Sequence, residues 1–225
     1  MKIDLLINGN AVEELKPALL ELGGKAPFVV LADADINAAV NAAVFGCFMN
    51  QGQICMSTER LIVDTTIADE FASRLAERAA KLPAGNPRGD VVLGGLCPPP
   101  GAGEKMEELI ANAVAKGGKL LAGGTRDGAI VTATLIDHVT PEMRIYAEES
   151  FGPVKPIIRV NGDVEAVAVA NDTEYGLSAA VFSRDLQRAM TVAGGIETGI
   201  CHINGPTIGD EPQMPFGGVR RAHCS

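Results

Sequence analysis

Short apolar runs alternate with helix-length amphipathic segments between positions 28 and 203 of this 225-residue chain. That alternation limits the fold more than any other feature, because strands that alternate with helices are joined by crossovers and lie parallel. Phe28-Val29-Val30-Leu31, after Pro27, is a buried strand. Asp33 or Asp35 then caps a helix, with Ile36, Ala39, Val40, Ala43, Val44, Cys47 and Phe48 at helical spacing. The opposite face (Asn37, Ala38, Asn41, Ala42) is small and uncharged, so cover on most sides is expected. Arg60 to Val63 is the next strand. Ile67, Phe71, Leu75, Ala79 and Leu82 mark the helix after it, closed by Pro83 to Pro87.

Residues 94–103 form a loop. Met106, Leu109, Ile110, Ala113 and Val114 define a helix stopped by Gly117-Gly118. Lys119 to Leu121 and Ile130 to Ile136 are strands across a turn at Gly123-Gly124. Val154 to Val160 is a strand in which Pro156 predicts an edge position or a bulge. A helix over 163–170, a strand over 178–182, a helix marked by Leu186, Ala189, Met190 and Ala193, and a strand over 199–203 complete the pattern. The fold class is α/β, a mainly parallel sheet with flanking helices.

The chain is long enough to bury a full core. It holds no tryptophan and only two tyrosines, so the core is built from Ala, Val, Leu and Ile. A net charge of −9 argues against nucleic acid or an anionic membrane as partner, since both attract clustered Lys and Arg. Arg220-Arg221 is the one short basic cluster. No run reaches the length of a membrane span, and Leu5-Leu6-Ile7 is too short for a signal-peptide core. A cytoplasmic setting is the expectation. The five cysteines fit no Cys-x-x-Cys pattern and are expected as thiols. The three histidines lack ligand spacing, so no metal site is expected.

Cys55 follows Asn50-Gln51-Gly52-Gln53-Ile54, and Glu21 precedes Leu22-Gly23-Gly24. A thiol and a carboxylate, each near glycine in apolar sequence, suggest a nucleophile and its base. Glycines near Cys55 allow backbone, substrate and cofactor to approach closely. Taken alone, a cysteine in apolar sequence is most often a packing residue, and a lone glutamate a surface or capping group. Cys47, Cys97 and Cys201 are expected to pack, and Glu149 beside Glu148 could be a solvated acidic edge.

The surrounding segments decide between these readings. Leu19-Leu20-Glu21-Leu22-Gly23-Gly24-Lys25-Ala26-Pro27, Asn50 to Cys55, Glu148-Glu149-Ser150-Phe151-Gly152-Pro153, Asn171 to Leu177 and Pro215-Phe216-Gly217-Gly218 together resemble the aldehyde dehydrogenase superfamily, across roughly residues 15–219. Ile54-Cys55-Met56-Ser57-Thr58-Glu59-Arg60 and Ile200-Cys201-His202-Ile203-Asn204-Gly205-Pro206 are most similar to the branch of salicylaldehyde and vanillin dehydrogenases. The resemblance implies a Rossmann-like catalytic domain over 15–225, after a remnant N-terminal segment over 1–14. It implies Cys55 as the nucleophile that adds to the aldehyde, and Glu21 as the base for thioester hydrolysis. It implies NAD as cofactor, with Glu149 and Phe151 at the nicotinamide ribose and ring and Gly23 beside them. Ile54, Met56 and Phe216 would flank a pocket for a small aromatic aldehyde. Self-association is expected as well.

Set against that family pattern, Glu13 to Pro17 runs from an opening hairpin-like stretch straight into the segment before Glu21. The expected remainder of the N-terminal dinucleotide-binding domain is missing, and Arg220 to Ser225 departs from the usual continuation. Leu19, Leu20 and Leu22 would then form an exposed apolar patch. A second expectation follows: a folded but oxidatively inert module, or one that keeps only Cys55-dependent ester hydrolysis.

Overall fold

The computed structural model describes residues 22–97 and 101–222. Expectations for Glu21, Leu19, Leu20 and the 1–14 segment therefore lie outside the described residues. The main sheet has seven strands in the order β3-β6-β7-β2-β1-β8-β9. These are β1 Ala26–Val30, β2 Thr58–Asp64, β3 Lys119–Ala122, β6 Thr134–Asp137, β7 Val154–Val160, β8 Ser178–Phe182 and β9 Ile200–Ile203. All neighbouring pairs are parallel except β3 with β6. The mainly parallel α/β sheet expected from the alternation is thus present.

Two helices follow β1 and β2 and lie on one face of the sheet: α1 Ile36–Phe48 and α2 Thr65–Ala80. Both start on a sequence-encoded cap: Asp35 accepts from the Ala38 N–H and Asp64 from the Thr66 N–H, as short carboxylates at helix starts do. Their apolar faces meet one side of the sheet, where Val40, Phe48, Phe71 and Leu75 pack on Phe28, Leu61, Ile157 and Phe182. Three helices cover the other side: α3 Ala102–Ala115, α5 Gly162–Asn171 and α6 Leu186–Gly194. There Met106, Leu109, Ala166 and Val192 join Val29, Ile62, Ile158 and Val181. Successive strand residues feed opposite layers, the period of two that a sheet imposes.

Four expectations change. β7 is interior, between β6 and β2, although it carries Pro156. Its pairing with β6 ends at Ile136 opposite Pro156, and the pairing with β2 begins at Leu61 opposite Ile157. The missing N–H falls where one ladder hands over to the next. The run 130–136 is split: β5 Ile130–Val131 turns back on β4 Arg126–Asp127 through Gly128-Ala129. Asp127-Gly128 is a hairpin signal inside what reads as a single strand. A short helix, α4 Arg144–Ala147, precedes the Glu148 loop. Finally, α1 is covered on one side only: Asn37, Ala38, Asn41, Phe45 and Met49 are exposed. Its neighbour α2 reaches only the edge of that face, through Arg74 to Asn37 and Arg78 to Asn41.

Candidate active site

The amino ends of the parallel strands bring the chemistry-bearing residues together. After α1 the chain makes a turn over Met49–Gly52 in which Asn50, Gln51 and Gly52 all take positive φ, at 50°, 58° and 73°. A Cβ on Gly52 would lie 2.5 Å from the Gly152 carbonyl oxygen and 2.9 Å from that of Cys47. Only glycine lets this turn sit so close to both segments. Gln53 then clamps the backbone of Cys97, accepting from its N–H at 2.9 Å and donating to its carbonyl at 3.4 Å. Cys97 itself is exposed, so it is not the packing residue expected. Cys55 follows on the half-buried turn that enters β2.

The Gly23-Gly24 segment that enters β1 lies against this turn. A Cβ on Gly24 would stand 2.1 Å from the Cys55 carbonyl oxygen, and one on Gly23 would stand 2.5 Å from Glu149 Oε2. Gly24 is therefore required by close approach of backbone, whereas Gly23 abuts only the end of the Glu149 side chain. The Gly24 N–H donates to Glu149 Oε1 at 2.9 Å. Burial pushes the Glu149 carboxyl above its ordinary value, against the lowering effect of that bond. Phe151 has φ 49° and is 40% exposed, an uncommon backbone state for a bulky residue. Leu22, Gly23, Cys55, Glu149 and Phe151 line one cavity of about 390 Å³.

On the other side of Cys55, Ile54, Met56 and Phe216 gather with Tyr175, Leu177, Ile200, Ile208 and Ala222 in one apolar cluster. Every described residue singled out from the sequence thus stands beside Cys55, in the cavity or in this cluster. Cys47 and Cys201 are buried enough that their thiols are pushed up to about 12 and about 11. They are poor nucleophiles.

A layer of charge beneath the site escapes the pattern-based reading. Glu59, the second residue of β2, is 2% exposed. It accepts from Lys25 Nζ at 2.9 Å, Lys155 Nζ at 2.5 Å, the Ser150 N–H at 2.7 Å and Ser150 Oγ at 2.6 Å. Burial alone would raise its pKa, but the two ammonium groups and these bonds pull it below the ordinary range. Arg60 points to the opposite layer. Its guanidinium donates to the carbonyls of Val169, Ala170, Asp172 and Lys25 and so closes the C-terminus of α5. The visible signal was Glu59-Arg60 directly ahead of the apolar run Leu61-Ile62-Val63: two charges opening a strand buried along its whole length.

A thiol at the amino edge of a mainly parallel sheet thus shares one cavity with a carboxylate and an aromatic ring. Residues 4–224 match the aldehyde dehydrogenase family, and the chain belongs to that family. It is 56% identical over 216 residues to a vanillin dehydrogenase of Pseudomonas sp. strain HR199, covering 96% of this chain and 44% of that protein. It is 51% identical over 221 residues to a salicylaldehyde dehydrogenase of Pseudomonas sp. strain C18, covering 97% and 46%. The structure superposes on the salicylaldehyde dehydrogenase of Pseudomonas putida G7, crystallised with salicylaldehyde, with a TM-score of 0.94 and 50% identity over 99% of this chain and 46% of that one. The chain spans less than half the length of these relatives. Among the described residues, no helix is long and apolar enough to cross a membrane.

Proposed function

We propose that this chain carries the catalytic half of an NAD-dependent oxidation of a small aromatic aldehyde, such as a salicylaldehyde, to its carboxylic acid. The observation that carries this reading is the meeting at Cys55 of two unlike walls. One holds Glu149, Phe151 and the side-chain-free edge of Gly23; the other is the apolar cluster of Ile54, Met56 and Phe216. The first wall fits the nicotinamide end of a dinucleotide: a carboxylate can accept from ribose hydroxyls, and the missing side chain at Gly23 lets Glu149 lie against that segment. The second suits an aromatic ring.

In this reading the Cys55 thiolate attacks the carbonyl carbon. A C–S bond forms and the oxygen takes a proton, which gives a thiohemiacetal. A nicotinamide dinucleotide held by Glu149 and Phe151 would supply the two-electron acceptor, taking hydride from the adduct carbon as the hydroxyl proton passes to water, which leaves Cys55 as a thioester. Glu21 then takes a proton from water as its oxygen adds to the thioester carbon. The C–S bond breaks, the acid departs and the thiolate returns. A positioned base of this kind contributes about 10²–10⁴-fold. Ile54, Met56 and Phe216 hold the ring and exclude water from the adduct. Self-association belongs to the same reading, and the uncharged outer face of α1, with Phe45 and Met49 exposed, supports it.

The test is NADH formation with salicylaldehyde, vanillin and an aliphatic aldehyde, with NAD or NADP, for wild type and Cys55→Ala. We expect aromatic preference and a loss of about 10⁴-fold or more in Cys55→Ala, as when a covalent nucleophile is removed. Equal rates in both proteins, or none in either, overturn the proposal.

A further inference from the structure

The loop from Glu148 to Ser150 carries the carboxylate that faces Cys55, and its backbone is held by buried or partly buried cations and one buried acid. Lys25 Nζ donates to the Glu148 carbonyl at 2.6 Å, and Lys105 Nζ to the Glu149 carbonyl at 2.7 Å. The Ser150 N–H and Oγ both donate to Glu59, and Ser150 Oγ also reaches the Gly152 carbonyl at 3.2 Å. Lys25 and Lys155 meet at that same Glu59 carboxylate. Lys25 precedes β1, Glu59 opens β2, and Lys155 lies in β7. One buried side chain therefore ties three adjacent strands to the loop.

Such a cluster is a poor way to gain stability. Burying charge costs about as much as the pairing returns, and apolar replacements of similar volume are often neutral or better. What a fully bonded buried network provides is a single arrangement. The arrangement fixed here is that of Glu149 and of Phe151, which holds a positive φ one residue beyond Ser150.

We propose that Glu59 is the positioning residue of this site: through Ser150 it holds the Glu149 carboxylate against Gly24 and in the cavity of Cys55. The assignment rests on the reading of Cys55 as nucleophile and Glu149 as a cofactor contact, and it adds the residue that sets their relative placement. Glu59 touches neither substrate nor cofactor. The groups facing the Glu149 carboxylate are Lys105, Lys25 and Glu59, with Tyr175 also within its field.

The experiment is the pH profile of Cys55 alkylation by iodoacetamide, quantified at that residue by mass spectrometry in the full chain. Wild type is compared with Glu59→Gln, Glu149→Gln, Ser150→Ala and the double variant Glu59→Gln/Glu149→Gln. A carboxylate beside a thiol opposes thiolate formation, so Glu149→Gln is expected to move the profile down by about 0.5–1 unit. If Glu59 holds Glu149 in place, Glu59→Gln moves it in the same direction and the double variant moves it no further. Ser150→Ala changes no charge and keeps the fold within reach should Glu59→Gln fail to fold; it is expected to give a smaller shift of the same sign. Additive shifts in the double variant, or an unmoved profile in Ser150→Ala when Glu59→Gln cannot be prepared, overturn the assignment. A lowered melting temperature with an unmoved profile also overturns it, because a merely structural role predicts that. Wild type that forms no NADH but shows non-additive shifts would sink the proposed oxidation and leave the positioning role standing. Where NADH is formed, the KM for NAD is expected to rise about tenfold in Glu59→Gln while the KM for the aldehyde stays within about twofold, the split expected when one contact's placement is lost.

Discussion

The two ends of the parallel sheet are built from similar parts and used in opposite ways. At the carboxyl end, β1 leads toward β2 and β8 leads toward β9, so the chain departs in opposite directions from two neighbouring strands. That crevice is where ligands settle in most open α/β sheets. Here the protein lines it with its own charges, around a cavity of about 360 Å³ bordered by Asp33, Asp35, Arg74 and Arg184. Asp33 accepts from Ser183 Oγ at 2.7 Å and from the Asp185 N–H at 3.1 Å, and Arg188 bridges Asp33 at 2.8 Å and Asp163 at 2.6 Å. Asp35 and Asp185 cap the two helices that start there. At the amino end, Gly23, Gly24 and Gly52 remove side chains, and the charges are withdrawn below the surface to Glu59. The result is a cavity with one thiol and one carboxylate. The lesson is that cavities of similar volume stand at both ends, while the side chains that line each, paired charges at one and a thiol with a carboxylate at the other, decide what chemistry it can offer.

The comparison can be broken by substitutions at each end. The largest effect is expected from Arg60→Met, which strips four buried or partly buried carbonyls of their donor. We expect a loss of about 3 kcal/mol or more in urea unfolding; less than about 1 kcal/mol would mean that water replaces the guanidinium. Next comes a pair. Gly24→Ala pushes a methyl into the Cys55 backbone carbonyl and is expected to cost about 2–3 kcal/mol. Gly23→Ala meets only the end of the Glu149 side chain, which can swing aside, so a cost under about 1 kcal/mol is expected, with an altered Cys55 alkylation rate. Equal costs for the two would contradict the close packing of the Gly24 and Cys55 backbones.

The acid limb of stability probes the buried cluster. The Glu59 carboxyl is held below its ordinary value of 4.5 by Lys155, Lys25 and Ser150 against the opposing effect of burial. A carboxylate favoured in the folded state contributes stability that is full above that ordinary value and is lost as pH falls below it. Wild type should therefore lose stability more steeply below pH 4.5 than Glu59→Gln, measured by thermal melts across that range. Parallel curves would show that Glu59 is not ionised in the folded chain. The smallest effect belongs to the carboxyl end. Arg188→Met breaks a partly exposed ion-pair network and is expected to cost about 1 kcal/mol, with Cys55 alkylation unchanged. A changed alkylation rate would mean that the two ends are coupled.

Much of this architecture was legible in the residues. Asp35 and Asp64 stand where caps must stand, and the runs ending at Leu31, Val63 and Phe182 are strands because a sheet covered on both faces takes continuous apolar runs. Cys55 and Glu149 could be picked out because glycine-rich surroundings and ordered motifs accompany them. Pro156 misled because its missing N–H is costly only if a partner strand requires it at that position, and register is a property of two strands together. The hairpin at Gly128 was hidden by the apolar run that follows it.

What the sequence determined by itself is the alternation of elements, their caps and the family to which the chain belongs, since these depend on residues near one another along the chain. What only the tertiary structure decided is where charge is buried and which end of the sheet gathers the thiol. Glu59, Lys25, Ser150 and Lys155 lie up to 130 positions apart, and nothing local in any of them says that a single carboxylate will bind the other three. That outcome depends on a low-dielectric interior, where each unpaired charge would be too costly to bury and each therefore finds the others.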